Sequence, residues 1–194
     1  MNETVLQMKQ MRRAMNPFVL TLYEIVLESK PEVVFEIGVR AAQSTRAILS
    51  ALKESGQGKL YSCDVKDFSD RVIPEDLKER WNFKVMPSGE YVKEWTLPID
   101  ILFIDGAHDY ENARLDFHNY APFVKEGGYI FLHDVCHGEP YGVGRLFNEI
   151  RWPKIALGYK AGFGMIQKPP IKNISWYIKP PRNIFKHNFF TGII

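Results

Sequence analysis

Five short runs rich in β-branched and aromatic residues, separated by stretches with helical spacing, limit what this chain can fold into. They are VVFEIG (33–38), KLYSCDV (59–65), FKVM (83–86), IDILFID (99–105) and YIFLHDV (129–135). Between them, residues 43–55 have the 3.6-residue periodicity of a helix that stops at Gly56. PEDLKERW (74–81) and SGEYVKEW (88–95) read as short helices. A long amphipathic helix runs from Tyr110 to about Val124, halted by Gly127-Gly128, and GRLFNEIR (144–151) is a last one. Strands alternating with helices predict an α/β fold, with a mostly parallel central sheet, right-handed crossovers and helices on both faces. Ligands of such sheets bind at the carboxyl ends of the strands. Here those ends carry Glu36-Ile37-Gly38, Cys63-Asp64, Asp105-Gly106 and His133-Asp134. Structural acids usually lie on outer faces, so this concentration is the main functional signal.

The 194 residues predict one domain, and a domain of that length buries roughly 70% of its unfolded surface. Only Cys63 and Cys136 are present, which argues against a disulfide framework or a cysteine zinc site. No apolar window is long enough to span a membrane, and residues 1–15 lack the apolar core of a signal peptide. The expectation is a cytoplasmic protein. Charge is uneven: residues 150–194 carry 8 Lys and Arg and no acid, whereas all 23 acids precede them. Such a block can attract polyanions or pack against an acidic neighbour. The tail from Pro169 onward, PPIKNISWYIKPPRNIFKHNFF, interleaves prolines and aromatics with its basic residues. That pattern favours docking on a partner subunit, hence a homo-oligomer. The organisation read from the chain is an N-terminal helical extension (1–30), a ligand-binding domain (31–168) and the tail (169–194).

A glycine between a strand and a helix lets a ligand approach the backbone, and the helix N-terminus favours negative charge. A dinucleotide fingerprint needs three glycines, but G-V-R-A-A-Q has one. Glu36 beside that glycine would repel phosphate and could neutralise a cation. Asp64, ending the next strand, could accept both hydroxyls of a ribose. S-adenosylmethionine, with its ammonium and sulfonium and no phosphate, suits this set. The local alternative is a tight turn at Gly38 and a helix cap at Asp64.

Glu36-Ile37-Gly38-x-x-x-Ala42-x-Ser44-Thr45 followed by Asp64 resembles the cofactor region of class I S-adenosylmethionine-dependent methyltransferases. Residues 103–135, FIDGAHDYENARLDFHNYAPFVKEGGYIFLHDV, resemble the subgroup of small-molecule O-methyltransferases and cephalosporin-hydroxylase-like proteins. The resemblance spans roughly residues 30–168 and implies a Rossmann-like fold. It also implies that Glu36, Gly38 and Ser44 meet the methionine part of the cofactor, that Asp64 holds the ribose, and that Asp105 borders the site. Ser88 and Gly89 fall where the family contacts adenine, although Met86-Pro87-Ser88-Gly89 lacks the usual acid. Ala42 stands where the family usually has a second glycine.

Asp105, His108, His133 and Asp134 come from the ends of two strands expected to be neighbours. Two carboxylates can hold a hard cation such as Mg²⁺, which would acidify an acceptor hydroxyl while a base takes its proton. Metal-dependent sugar O-methyltransferases of this fold are similar in having Asp-x-x-His and then Glu-Asp. This chain keeps Asp105-x-x-His108 and Asp134 but has His133 in place of the glutamate, which tilts the preference toward Mn²⁺. If a cation is used, its expected ligands are Asp105 and Asp134; without one, His108 or His133 acts alone as the catalytic base, and His137 is a third candidate. Structural alternatives are a helix-capping His108 and a loop-anchoring Asp134. Asp116 would tie its helix to the sheet, while Tyr110 and Tyr141 read as pocket walls. The function expected is methyl transfer to a hydroxyl of a small-molecule acceptor, sugar or glycoconjugate-like. Its rivals are a nucleotide-dependent oxidoreductase, disfavoured by the missing glycines, and a nucleic-acid methyltransferase or RNA-binding protein. The latter lacks a base-flipping motif and an aromatic-basic strand signature. A non-catalytic scaffold is the remaining alternative.

Overall fold

The computed structural model describes residues 17–68, 73–138, 140–158 and 161–170. The chain opens with helix α1 (Pro17–Ser29), then β1 (Val33–Ile37), α2 (Gln43–Ser55), β2 (Lys59–Asp64), α3 (Glu75–Lys78) and β3 (Trp81–Val85). It continues with α4 (Ser88–Tyr91), β4 (Ile99–Ile104), α5 (Tyr110–Tyr120), β5 (Val124–His133), α6 (Val143–Glu149), β6 (Lys154–Leu157) and β7 (Phe163–Gln167). Among the described residues the strands form one sheet in the order β3-β2-β1-β4-β5-β7-β6. The first five are parallel, and β7 and β6 add an antiparallel edge. The order reverses at β1, so the cleft for a ligand opens at the carboxyl ends of β1 and β4.

The pleat assigns each β1 side chain to a face. Phe35 and Ile37 pack with Leu102, Ile104, Phe117 and Tyr120 beneath α5. Val34 faces the opposite core, built with Val19, Leu22 and Val26 of α1 and Ile48, Leu49 and Leu52 of α2. Helix α1 is thus part of a packed layer; the expected helix before it, with Met8, Met11 and Met15, lies outside the described residues.

Three expectations about elements change. Trp81, read as the end of a helix, begins β3, and its indole N–H donates to Ser62 Oγ at 3.0 Å. The long helix ends at Tyr120 and β5 begins at Val124, because Pro122 cannot continue a helix. Gly127, at φ +78°, instead sits inside β5, where the register with β4 shifts. Finally, the β6–β7 hairpin was not anticipated. Phe163 fixes it to the core, stacked on Phe131 with ring centroids 5.1 Å apart.

Candidate active site

The site builds from the loop after β1. Gly38 has φ +93°, and a Cβ there would lie 2.1 Å from the Asp105 carbonyl oxygen. The glycine therefore serves the close approach of the β1 and β4 ends, where the Asp105 amide donates to the Ile37 carbonyl at 2.8 Å. The sequence expectation for this glycine is contact with a ligand; the close strand approach is a further requirement on it. The loop is pinned by Asp64, whose Oδ2 accepts the amides of Val39 (2.8 Å) and Arg40 (3.3 Å) and whose Oδ1 accepts that of Lys66 (3.2 Å). Ala42 then enters α2 in the left-handed region, at φ +54°, and provides no side-chain cap. The first amides of α2 are left facing the cleft, an arrangement that suits a carboxylate such as that of a methionyl group.

Glu36 lies elsewhere than the cleft. By strand alternation it shares the face of Val34 and is fully buried under α2. Its carboxyl accepts from Ser44 Oγ (2.6 Å), Thr45 Oγ1 (2.9 Å) and Ser62 Oγ (2.8 Å). Burial pushes it up to about 7, the three hydroxyls pull it down, and the charge of Asp105 adds a smaller upward push. Glu36 and Ser44 thus brace α2 against β1 from inside, so any role toward the cofactor runs through the loop they hold.

Asp105, His108, His133 and Asp134 converge at the ends of β4 and β5. The Asp134 carboxylate is the hub: Oδ2 lies 2.7 Å from His108 Nδ1, and Oδ1 lies 3.1 Å from His133 Nδ1 and 3.6 Å from His137 Nε2. His133 Nδ1 is also 3.3 Å from Asp105 Oδ1, out of line for a directed hydrogen bond to either acid. Burial works to lower His133, but its two acids outweigh this and raise it to about 10. A ring held protonated offsets the charge of one of these two carboxylates and is unsuited to accept a proton. Burial likewise favours a neutral Asp134, yet the contact and charge of His133, with the charges of His108 and His137, hold it below the usual carboxylate range. Asp134 is 5% exposed and adopts φ +63°, a strained conformation for a non-glycine residue. Asp105, His108 and Asp134 each offer one ligand atom, all within 4.8 Å of one another. One imidazole and two carboxylates suit a transition ion such as Mn²⁺ better than all-oxygen Mg²⁺ chemistry, so the donor set fits.

The neighbouring loop closes this corner. The Gly142 amide donates to the His108 carbonyl at 2.8 Å, and a Cβ at Gly142 would collide with Tyr110. Tyr141 stacks on His137 at 4.6 Å and lies 5.2 Å from the His108 ring. Helix α5 is capped by Asp109, not His108. Ser88 turns its hydroxyl inward to Asp116 Oδ1. Asp116 is 5% exposed and raised to about 6, mainly by burial. It occupies the apolar face that α5 shows through Ala113, Phe117 and Tyr120; expected to tie the helix to the sheet, it ties it through Ser88 to the segment that follows β3. A separate depression, lined by Pro31, Asp100, Lys125 and Tyr129, lies at the amino ends of the strands, away from these acids.

An open, doubly wound sheet with acids at its carboxyl ends and a single-glycine loop defines the α/β methyltransferase class. A family model described as a methyltransferase domain matches residues 35–135, and the chain belongs to that family. In fold it is similar to the O-methyltransferase from Bacillus cereus in complex with S-adenosylhomocysteine (TM-score 0.66, 19% identity, 87% of this chain and 92% of that one). It is also similar to the O-methyltransferase TomG from Streptomyces achromogenes, solved with S-adenosylmethionine (TM-score 0.65, 16% identity, 88% and 91%). An uncharacterized protein, R132, of Acanthamoeba polyphaga mimivirus is 54% identical over 41 residues. Those residues make up 20% of this chain and 19% of that protein. No helix among the described residues is long and apolar enough to cross a membrane.

Proposed function

We propose that the chain transfers the methyl group of S-adenosylmethionine to a hydroxyl oxygen of a small molecule, sugar or glycoconjugate-like in class. The observation that carries this reading is the convergence of Asp105, His108 and Asp134 beside the loop that Gly38 and Asp64 shape. The uncapped start of α2 receives the cofactor carboxylate, and Asp64 faces the ribose. Ser88 and Gly89 border the adenine.

His108 donates Nδ1–H to Asp134, which leaves the lone pair on Nε2 to take the acceptor's proton. The freed oxygen attacks the methyl carbon in line as the bond to sulfur breaks. S-adenosylhomocysteine leaves neutral, and the proton passes from His108 to solvent. Alignment supplies most of the acceleration, with no covalent enzyme intermediate. His133 keeps Asp105 and Asp134 from repelling each other. Asp105 and Asp134 would hold a divalent cation, leaving His108 as the base; when bound, the cation would lower the pKa of a coordinated hydroxyl.

With a hydroxylated acceptor found by screening, His108→Ala should reduce turnover about 10²–10⁴-fold while cofactor affinity is kept. Turnover after chelation, with Mn²⁺ or Mg²⁺ returned, tests the cation; activity that resists chelation removes the metal and leaves the base. Wild-type protein that binds neither S-adenosylmethionine nor S-adenosylhomocysteine in calorimetry overturns the reading. The apolar, basic tail supports self-association, so a chain ending at Pro170 should sediment as a smaller species than the full chain.

A further inference from the structure

We propose that residues 173–179 of one copy pair, as an added strand, with the outer edge of β6 in a second copy of this chain, each copy giving its tail to the other. The proposal gives the tail's self-association a surface, and it stands apart from the methyl-transfer chemistry.

β6 (Lys154–Leu157) ends the sheet order, and among the described residues its outer side has no partner strand. All four of its residues are exposed, and Ile155 and Leu157, at 52% and 40%, share one face. That face is the α1 face. Leu157 lies opposite Phe163 and Ile155 opposite Met165, and Phe163 belongs to the core built with α1 and α2. The apolar surface of the sheet thus continues outward and stops at two uncovered residues. An edge of this kind is a template for another strand, and charged side chains are a usual protection. β6 lacks that protection, because Lys154 Nζ is turned to the carbonyls of Phe147, Asn148 and Ile150 at the end of α6.

The chain carries a segment of matching pattern beyond the described residues. Asn173-Ile174-Ser175-Trp176-Tyr177-Ile178-Lys179 places Ile174, Trp176 and Ile178 at alternate positions and lies between Pro169-Pro170 and Pro180-Pro181. It contains β-branched and aromatic residues and no glycine or proline, as a strand requires. Its apolar face would extend the one that ends at Ile155 and Leu157. The tail also departs beside β6, where the Gln167 amide donates to the Pro153 carbonyl at 2.9 Å. Pro169 and Pro170 then hold the chain extended, which carries it away from its own β6 instead of around the start of that strand. Two copies meeting at this edge about a two-fold axis bring each tail to the other's β6 within one closed interface. The edge strand β3, at the opposite end of the sheet, could take a tail only head to tail.

The test is sedimentation of the full chain and of two full-length variants, each spoiling one side of the contact. Leu157→Lys charges the edge and keeps the tail, whereas Trp176→Lys charges the tail and keeps the edge. Wild type should be a dimer. Each variant should raise the dimer dissociation constant about tenfold or more, since the contact would bury an unpaired ammonium. An equimolar mixture of the variants should associate more tightly than either alone, because one intact tail then meets one intact edge. A monomeric wild type would mean that no tail is exchanged and overturns the proposal. A dimer broken by Trp176→Lys but kept by Leu157→Lys leaves self-association through the tail standing and removes β6 as its surface. The reverse pattern means that edges pair without tails. Either pattern, or a mixture that associates no better than its parts, rejects the exchanged strand. If Leu157→Lys does not fold, Ile155→Lys, at the more exposed position, takes its place. None of these outcomes depends on whether S-adenosylmethionine binds.

Discussion

Glu36 shows how a single buried carboxyl couples stability to pH. Its native pKa of about 7 exceeds the ordinary value of 4.5, chiefly through burial. The native state therefore keeps a proton that the unfolded chain releases between those values, and stability from this group falls as pH rises from about 4.5 to 7. The effect is on the order of 3 kcal/mol. Glu36→Gln removes the titration while keeping a polar group for Ser44, Thr45 and Ser62. Urea unfolding at pH 5 and pH 8 should show a smaller loss with rising pH in the variant than in the wild type. Parallel losses would place the titration elsewhere, Asp116 being the next candidate with a raised carboxyl.

The turn from β1 into α2 contains two small residues with opposite requirements. Gly38→Ala drives a methyl into the Asp105 carbonyl in a backbone region that alanine avoids, and should cost about 3 kcal/mol or more. It perturbs the ends of β1 and β4, so lost cofactor binding in that variant reports on the fold before it reports on the site. Ala42 already adopts φ +54°. Ala42→Gly relieves roughly 1–2 kcal/mol of left-handed strain and forfeits a buried methyl of about 1 kcal/mol. Stability should therefore change by less than about 1 kcal/mol, with cofactor affinity unchanged or improved. Thermal unfolding and calorimetry of the two variants should diverge; similar losses in both would contradict this account of the turn.

Phe163 joins the antiparallel edge to the rest of the molecule. Its ring is 2% exposed, stacks on Phe131, and lies 5.6 Å from Phe18 of α1. Phe18 in turn covers His133 at 4.5 Å, so edge hairpin, first helix and site share one aromatic cluster. Phe163→Ala should cost about 3–5 kcal/mol and loosen the packing around His133. Chemical denaturation measures the first effect. The second should appear as a reduced kcat under conditions in which the variant remains folded.

The parallel α/β core was legible because strand and helix leave different apolar signatures: Gln43–Ser55 carries helical spacing, and Ile99–Ile104 is the near-continuous apolar run of a strand buried on both faces. The gathering of acids at one end of the sheet was legible as well, since Asp64, Asp105 and Asp134 follow apolar runs that cannot bury an acid without a partner. Periodicity is silent on long-range pairing, so the β6–β7 hairpin and the early start of β5 emerged only when β5 was flanked by β4 and β7. The direction of individual side chains was likewise a tertiary matter. Strand alternation and the hydroxyls of two other elements turned Glu36 under α2, and the Ser88 hydroxyl turned Asp116 toward the segment that follows β3. Local sequence determined which residues could carry charge at the strand ends; the packing of helices on the sheet decided which of those charges face one another.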